Sequence, residues 1–352
     1  MRRISDTSIK IGIIGFGKMG LLHASILNFF PQVNIVAICE KDNFLISSIK
    51  KVLPNVVFYN NYKDMISSGK VDVIYITTPV HLHIPIALDC AKNEIPFFVE
   101  KPLALNSNEA VELVEYCSRN NIKTGVGFFM RFIPTYIQAK NILNENVLGE
   151  LFSFSSSIKV SQLFKTGKSW RYEKSKSGGG VLIGQGIHLI DLLSFIFGDV
   201  EKVNGFSERW YSSETEDHAY GTLVFKSGLQ GTFDSNWSIR DKRVLTTIIE
   251  IHGKNGMLYV DQDQVKLWLD KSQGKFKAGW TILNKPVLSN GVQIDIAGPE
   301  YTIENEEFIN SIISDKLFTS DISSAFNTQK IVDAIYKSSS KSGKSILISE
   351  VS

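Results

Sequence analysis

The spacing of apolar and polar positions changes character along this chain. Up to residue 128, short apolar runs alternate with stretches whose apolar residues recur every three or four positions. That pattern predicts strands and helices in turn. Strands are expected at 10–14, 34–39, 56–59, 71–76, 97–99 and 123–128, and helices at 21–30, 42–53, 63–68, 84–93 and 108–120. Regular alternation of this kind means a parallel, doubly wound sheet. A helix at 131–144 leads out of it. From there the period becomes two. Residues 151–160, 203–210, 219–225, 229–237, 244–251, 257–260, 265–269 and 281–283 read as strands. Hairpin turns are expected at 226–228 and 253–256. The second half is therefore expected to hold a mostly antiparallel sheet, with helices at 186–197, 299–314 and 323–339. The division falls into 1–128 and 129–352, an α/β chain of two domains.

Composition narrows the class without naming it. The chain has 352 residues, 43% hydrophobic and 21% charged, enough for two cores. Net charge is +2, which gives no reason to expect nucleic acid or an acidic membrane surface. No apolar run approaches the ~20 residues of a membrane span, and Met1-Arg2-Arg3 is followed by no secretory core. Cys39, Cys90 and Cys117 lie in apolar segments without metal spacing and read as small buried hydrophobes in a reducing compartment. A cytoplasmic protein is expected.

The first strand runs directly into Gly15-Phe16-Gly17-Lys18-Met19-Gly20 and then a helix. Strand, G-x-G-x-x-G, helix is the context in which such glycines bind a dinucleotide. Gly15 permits the tight turn, Gly17 lets the backbone approach a pyrophosphate, and Gly20 lets helix and strand pack closely. The helix N-terminus then offers unpaired N–H groups to the phosphates. Glu40 ends the second strand, 20 residues after Gly20, where a carboxylate accepts from ribose hydroxyls. Its other reading is a solvated strand-end charge. Lys41 follows it. Another strand ends in Thr77-Thr78-Pro79, and Pro79 turns the chain out of the ladder. His81 and His83 have no third ligand nearby and no zinc spacing, so no metal is expected.

Phe97-Phe98-Val99 then reads as a buried strand ending in Glu100-Lys101-Pro102. Open α/β sheets bind ligands at this carboxyl edge. A lysine desolvated there beside a cationic nicotinamide gives up its proton more readily and serves acid–base chemistry. An ordinary turn is the competing reading of the tripeptide.

The chain resembles the glucose–fructose oxidoreductase / inositol dehydrogenase / rhizopine catabolism (Gfo/Idh/MocA) family. The resemblance rests on the glycine motif, Glu40, Thr78-Pro79 with His83, Glu100-Lys101-Pro102, Arg131-Phe132-x-Pro134, and Gly178-Gly179-Gly180 leading into Gly186-Ile187-His188-Leu189-Ile190-Asp191. It implies a Rossmann domain, a second α/β domain with a large, mostly antiparallel sheet, and hydride transfer between NAD, or NADP, and a sugar, polyol or nucleotide sugar. It implies catalytic roles for Lys101 and His188, and cofactor contacts from the residues above, Arg131 included. Many polyol dehydrogenases of the family carry aspartate four residues before the histidine. Gly184 stands there, which weakens any specific claim of inositol dehydrogenase activity. Neighbouring Gln185 is a substrate-binding candidate.

Residues 164–177 are polar around Trp170 and Arg171, which are read either as reaching cofactor or substrate or as anchoring the loop. Asp191, a further substrate-binding candidate, lies one helical turn from His188 and either orients it or anchors the helix. Two further readings stay open: a dinucleotide sensor acting on a protein partner, and a glycosidase that oxidises its substrate transiently with bound NAD. Apolar residues on both faces of 219–237 and 244–251, such as Leu223, Val224, Phe225, Ile248 and Ile249, predict a homodimer or homotetramer.

Overall fold

The computed structural model describes residues 8–165, 169–314 and 316–351. The chain packs as two compact units. One gathers residues up to Ala104, Asn108–Phe129 and Val292–Phe326; the other gathers Leu105–Ser107, Met130–Gly291 and Asn327 onward.

The first unit is built on six parallel strands: β1 (Ile9–Ile14), β2 (Val33–Cys39), β3 (Val57–Tyr59), β4 (Val73–Ile76), β5 (Phe97–Val99) and β6 (Thr124–Val126). Their order is β3-β2-β1-β4-β5-β6. The order reverses at β1, and β4 pairs on its other side, which opens a crevice at the carboxyl edge. β4 and β5 are buried at every position, as the unbroken apolar runs require. Residues 292–326 return to this unit, although the sequence division assigns them to the second domain. Phe308, on the helix Pro299–Ser314, meets Tyr75, Phe98 and Phe318 edge-on in an aromatic cluster. Gly125 lets it in: a Cβ there would stand 2.8 Å from the Phe308 ring. The backbone of Ser320 bonds Val126 beside β6.

The second unit holds a nine-stranded sheet: β7 (Leu151–Lys159), β8 (Val200–Glu208), β9 (His218–Phe225), β10 (Gln230–Asn236), β11 (Thr246–Gly253), β12 (Gly256–Val260), β13 (Gln264–Leu269), β14 (Gly279–Asn284) and β15 (Ile346–Leu347). The order is β14-β13-β12-β11-β7-β10-β9-β8-β15. Among the described residues of this sheet, only β7 and β10 pair in parallel. One face packs on helices through Phe154, Ile158, Leu223, Phe225, Phe233, Ile249 and Ile251. The opposite face carries Phe206, Tyr220 and Trp268, all part-exposed.

Local differences from the sequence reading have simple causes. The helix expected from 131 begins at Pro134, which takes the first helical position, and Phe129–Phe132 forms a 3-10 turn before it. Part of the expected 164–177 loop lies outside the described residues. The rest forms a turn at Trp170–Tyr172 and a short helix, Lys174–Ser177. The segment Lys174–Phe197, interrupted at Gly178–Gly180, is long and apolar enough by composition to cross a membrane, but most of its apolar part is buried in the unit's core.

Candidate active site

Sheet register lines up the candidate residues of the first unit. Ile14 pairs with Cys39 on one side and Ile76 on the other, and Ile76 pairs with Val99. Gly15, Glu40, Thr77 and Glu100 are the residues that follow these four. They leave the sheet in a row.

The three glycines divide their work as their spacing predicts. Gly15 has φ +86°, open to glycine at little cost. A Cβ on Gly20 would lie 2.2 Å from the Gly15 carbonyl oxygen, so helix and turn touch backbone to backbone. A Cβ on Gly17 meets nothing within 4 Å. Gly17 caps the helix Lys18–Leu27 with no side-chain bond, and no acidic residue stands in its first turn. Phe16 is buried, whereas Gly17 and Lys18 are exposed and Met19 is intermediate. The helix end is therefore bare, electropositive and uncrowded, which fits a pyrophosphate.

Glu40 reaches back over this turn. One carboxylate oxygen accepts the Phe16 N–H at 2.7 Å; the other accepts the N–H of Lys41 at 2.7 Å and of Asp42 at 3.1 Å. Thr77 bonds the Gly15 carbonyl through its hydroxyl. The Thr78 hydroxyl is buried and has no partner among the described residues, a polar atom left over at the sheet's carboxyl edge. The residues present fit a dinucleotide.

Lys101 follows β5, half-buried, and its peptide bond to Pro102 is cis. Two buried histidines support this turn. His83 is 1% exposed; its Nδ1 lies 2.8 Å from the Pro102 carbonyl oxygen and its Nε2 2.8 Å from that of Thr78. Burial lowers its pKa, against the two carbonyls and Glu100, which raise it. The neutral ring has one N–H and so donates to one of these two carbonyls; carried on Nδ1, it holds the lysine turn through Pro102. Glu100 is turned into the unit: it bonds the Lys101 N–H at 3.1 Å and His23 at 3.0 Å. Sequence reading passed over His23. Its only signal is a histidine on the buried face of an apolar helix.

In the second unit, Gly178 has φ +83°, and Gly180 packs so close to the Glu216 backbone that a Cβ would stand 2.0 Å from its carbonyl oxygen. The buried Glu216 carboxylate accepts the N–H of Gly180 at 2.8 Å, that of Leu182 at 3.0 Å, and the Tyr336 hydroxyl at 2.8 Å. Burial raises its pKa. Leu182–Gly186 is a π-helical turn, a local irregularity common at functional sites. It delivers the helix Ile187–Phe197, whose second residue is His188, 3% exposed. Arg131 and Asp191 meet each other in a buried ion pair. Gln185 donates to Gln162 at 2.5 Å, and its own oxygen is buried without a partner among the described residues. Gly184 leaves room: an added Cβ would touch only the Trp237 ring, at 3.5 Å. Arg171 lies over the Trp170 ring, 4.8 Å from its centre. Among the described residues, no group of three or more His, Cys, Asp or Glu side chains is placed to hold a metal.

The glycine turn, the carboxylate after β2 and the lysine turn after β5 define a nicotinamide-dinucleotide-binding oxidoreductase. The NAD-binding Rossmann model of the Gfo/Idh/MocA oxidoreductases matches residues 9–128, and the Gfo/Idh/MocA C-terminal domain model matches 136–259. The chain belongs to the Gfo/Idh/MocA family. A protein named Oxidoreductase P35 from Formosa agariphila is 29% identical over 261 residues, 72% of this chain and 79% of that one. Levoglucosan dehydrogenase from Pseudarthrobacter phenanthrenivorans is 23% identical over 95% of this chain and 97% of its own. A solved levoglucosan dehydrogenase in complex with NADH and levoglucosan superposes with a TM-score of 0.86, at 22% identity, over 97% of this chain and all of that one.

Proposed function

We propose that this enzyme moves a hydride between NAD and a ring secondary alcohol of a sugar or polyol. The observation that carries the reading is the register that sets the glycine turn, Glu40 and the Glu100-Lys101-Pro102 turn in one row on the carboxyl edge of one sheet. The named relative with levoglucosan supports the sugar-like class. The bare helix end at Gly17 holds the pyrophosphate, Glu40 the adenosine ribose, and the spare Thr78 hydroxyl a further polar group of the dinucleotide. Glu40 favours NAD, because its charge repels a 2′-phosphate. A bound nicotinamide supplies the hydride acceptor. Lys101 stabilises the alkoxide as the hydroxyl proton leaves, and His188 takes that proton.

The open face of the nine-stranded sheet is proposed to pack on a second copy. Val224, Ile248, Phe206 and Tyr220 are too apolar to stay in water as one surface. Light scattering at micromolar concentration should give at least the dimer mass; the monomer mass alone would refute it. A cytoplasmic location is proposed, a reducing compartment in which the free thiols Cys39, Cys90 and Cys117 stay unpaired.

The test of function is a panel of anhydrosugars, sugars, inositols and nucleotide sugars, read by NADH absorbance. Net NADH formation on one class supports the proposal. Turnover without net NADH would favour the glycosidase reading, and binding of dinucleotide with no turnover the sensor.

A further inference from the structure

We propose that His23 and Glu100 form a buried ion pair that positions Lys101, and that Asn305 on the returning helix Pro299–Ser314 holds its outer end. The kinetic part rests on Lys101 acting in the reaction; the pair itself does not.

The hydrogen-bond chain assigns the Nδ1 hydrogen, and the ion pair puts the second one on Nε2 rather than on Glu100. The Asn305 side-chain amide donates to the Tyr301 carbonyl at 2.7 Å, and a carbonyl can only accept. Asn305 Oδ1 is therefore the atom facing His23 Nδ1, at 3.1 Å, so Nδ1 carries a hydrogen. On the other side of the ring, Nε2 lies 3.0 Å from Glu100 Oε1. The second Glu100 oxygen already accepts the Lys101 N–H. A ring that donates twice and a carboxylate that accepts twice satisfy every atom in the chain. His23 is 0% exposed and Glu100 7%, so the ring has no access to water and the carboxylate little. Tyr75 and Phe98 flank the imidazole at 5.5 and 5.1 Å and fix its plane. A Cβ on Gly127 would stand 3.0 Å from Glu100 Oε1, so the carboxylate is walled in from the next strand end as well.

The consequence is mechanical. Glu100 grips the amide of Lys101, and His83 grips the carbonyl of the next residue, Pro102. The lysine leaves a backbone held on both sides. This also gives the return of residues 292–326 to the first unit a purpose, since Asn305 comes from that segment.

The experiment has two arms. In ¹⁵N-histidine-labelled protein, the resonances that vanish in His23→Gln should report hydrogens on both ring nitrogens; a bare Nδ1 or Nε2 would overturn the pair whether or not a substrate is known. With the substrate found by the panel, His23→Leu should lower kcat roughly ten- to a hundredfold, the scale of a small misplacement of a reacting group, with KM for NAD within about threefold. His23→Gln keeps a donor toward Glu100 and should restore most of kcat. Wild-type kcat in His23→Leu, or a folded His23→Gln as slow as His23→Leu, overturns the positioning role. If His23→Leu does not fold, Asn305→Leu takes its place. It should lose several-fold in kcat at unchanged KM for NAD, and full kcat in that folded variant counts against the proposal.

Discussion

The Arg131 guanidinium forks onto the Asp191 carboxylate, Nε to Oδ2 at 2.8 Å and Nη2 to Oδ1 at 2.5 Å, with the Thr328 hydroxyl donating to the same carboxylate at 3.1 Å. Both members are buried. Removing one leaves a charge in the core, which typically costs about 3–5 kcal/mol. Asp191→Ala should therefore lose stability on that scale in denaturant titration, while the folded fraction keeps its KM for NAD. A stable variant with a raised KM would return Asp191 to a binding role.

Much of the first unit was legible because short-range rules decide it. The glycine turn is announced by three residues within six positions, even though Gly15 also packs against Thr77 and Thr78, and Glu40 follows from strand length. What escaped depends on contacts distant in sequence. Nothing in the amphipathic pattern of 299–314 says which sheet it covers; the Phe308 ring and the gap at Gly125 decide that, 183 positions apart. His23 was invisible because its partners, Glu100 and Asn305, lie 77 and 282 residues away. Arg131 and Asp191 were each visible as polar residues in apolar surroundings, but their pairing was not.

The glycines give a contrasting pair of variants. Gly20→Ala puts a methyl group against backbone and should cost about 1–3 kcal/mol in stability. Gly17→Ala meets no neighbour and should change stability by less than about 0.5 kcal/mol. Its methyl group stands where the pyrophosphate approaches, so NAD affinity should fall about tenfold or more. Thermal melts with and without NAD separate the two effects; equal NAD affinity in Gly17→Ala and wild type would remove the phosphate assignment.

Glu40→Ala tests cofactor choice. A hydrogen bond to a charged group is worth about 1.5–3 kcal/mol, or roughly ten- to a hundredfold. kcat/KM for NAD should fall on that scale and that for NADP much less. Comparable values for both cofactors in wild type, unchanged by the mutation, would contradict the argument.

His83 carries a pH signature. Burial lowers its folded-state pKa below the ordinary 6.5. As pH falls through that value the unfolded chain takes up a proton that the folded chain resists, so stability present above about 6.5 is lost on acidification. His83→Gln cannot titrate. Wild type should thus lose more of its melting temperature between pH 8 and 5.5 than this variant does. Parallel curves would show that His83 binds its proton equally in both states.

Lys101→Met is the sharpest test of the chemistry. Methionine nearly preserves the length of the half-buried side chain and removes the ammonium group. The backbone supports at Glu100 and His83 are untouched, so the melting temperature and NAD affinity should stay near those of wild type. If Lys101 acts on charge that develops in the transition state, the loss belongs in kcat. An acid–base group is typically worth about a hundred- to ten-thousandfold. His188→Ala should cost a similar order. The double variant should lose less than the product of the two if both residues serve one proton path. A protein that only senses dinucleotide has no rate to lose, and both variants would be silent in every assay except partner binding. Wild-type turnover by a folded Lys101→Met enzyme would end the catalytic assignment, because no other feature of that substitution spares the reaction.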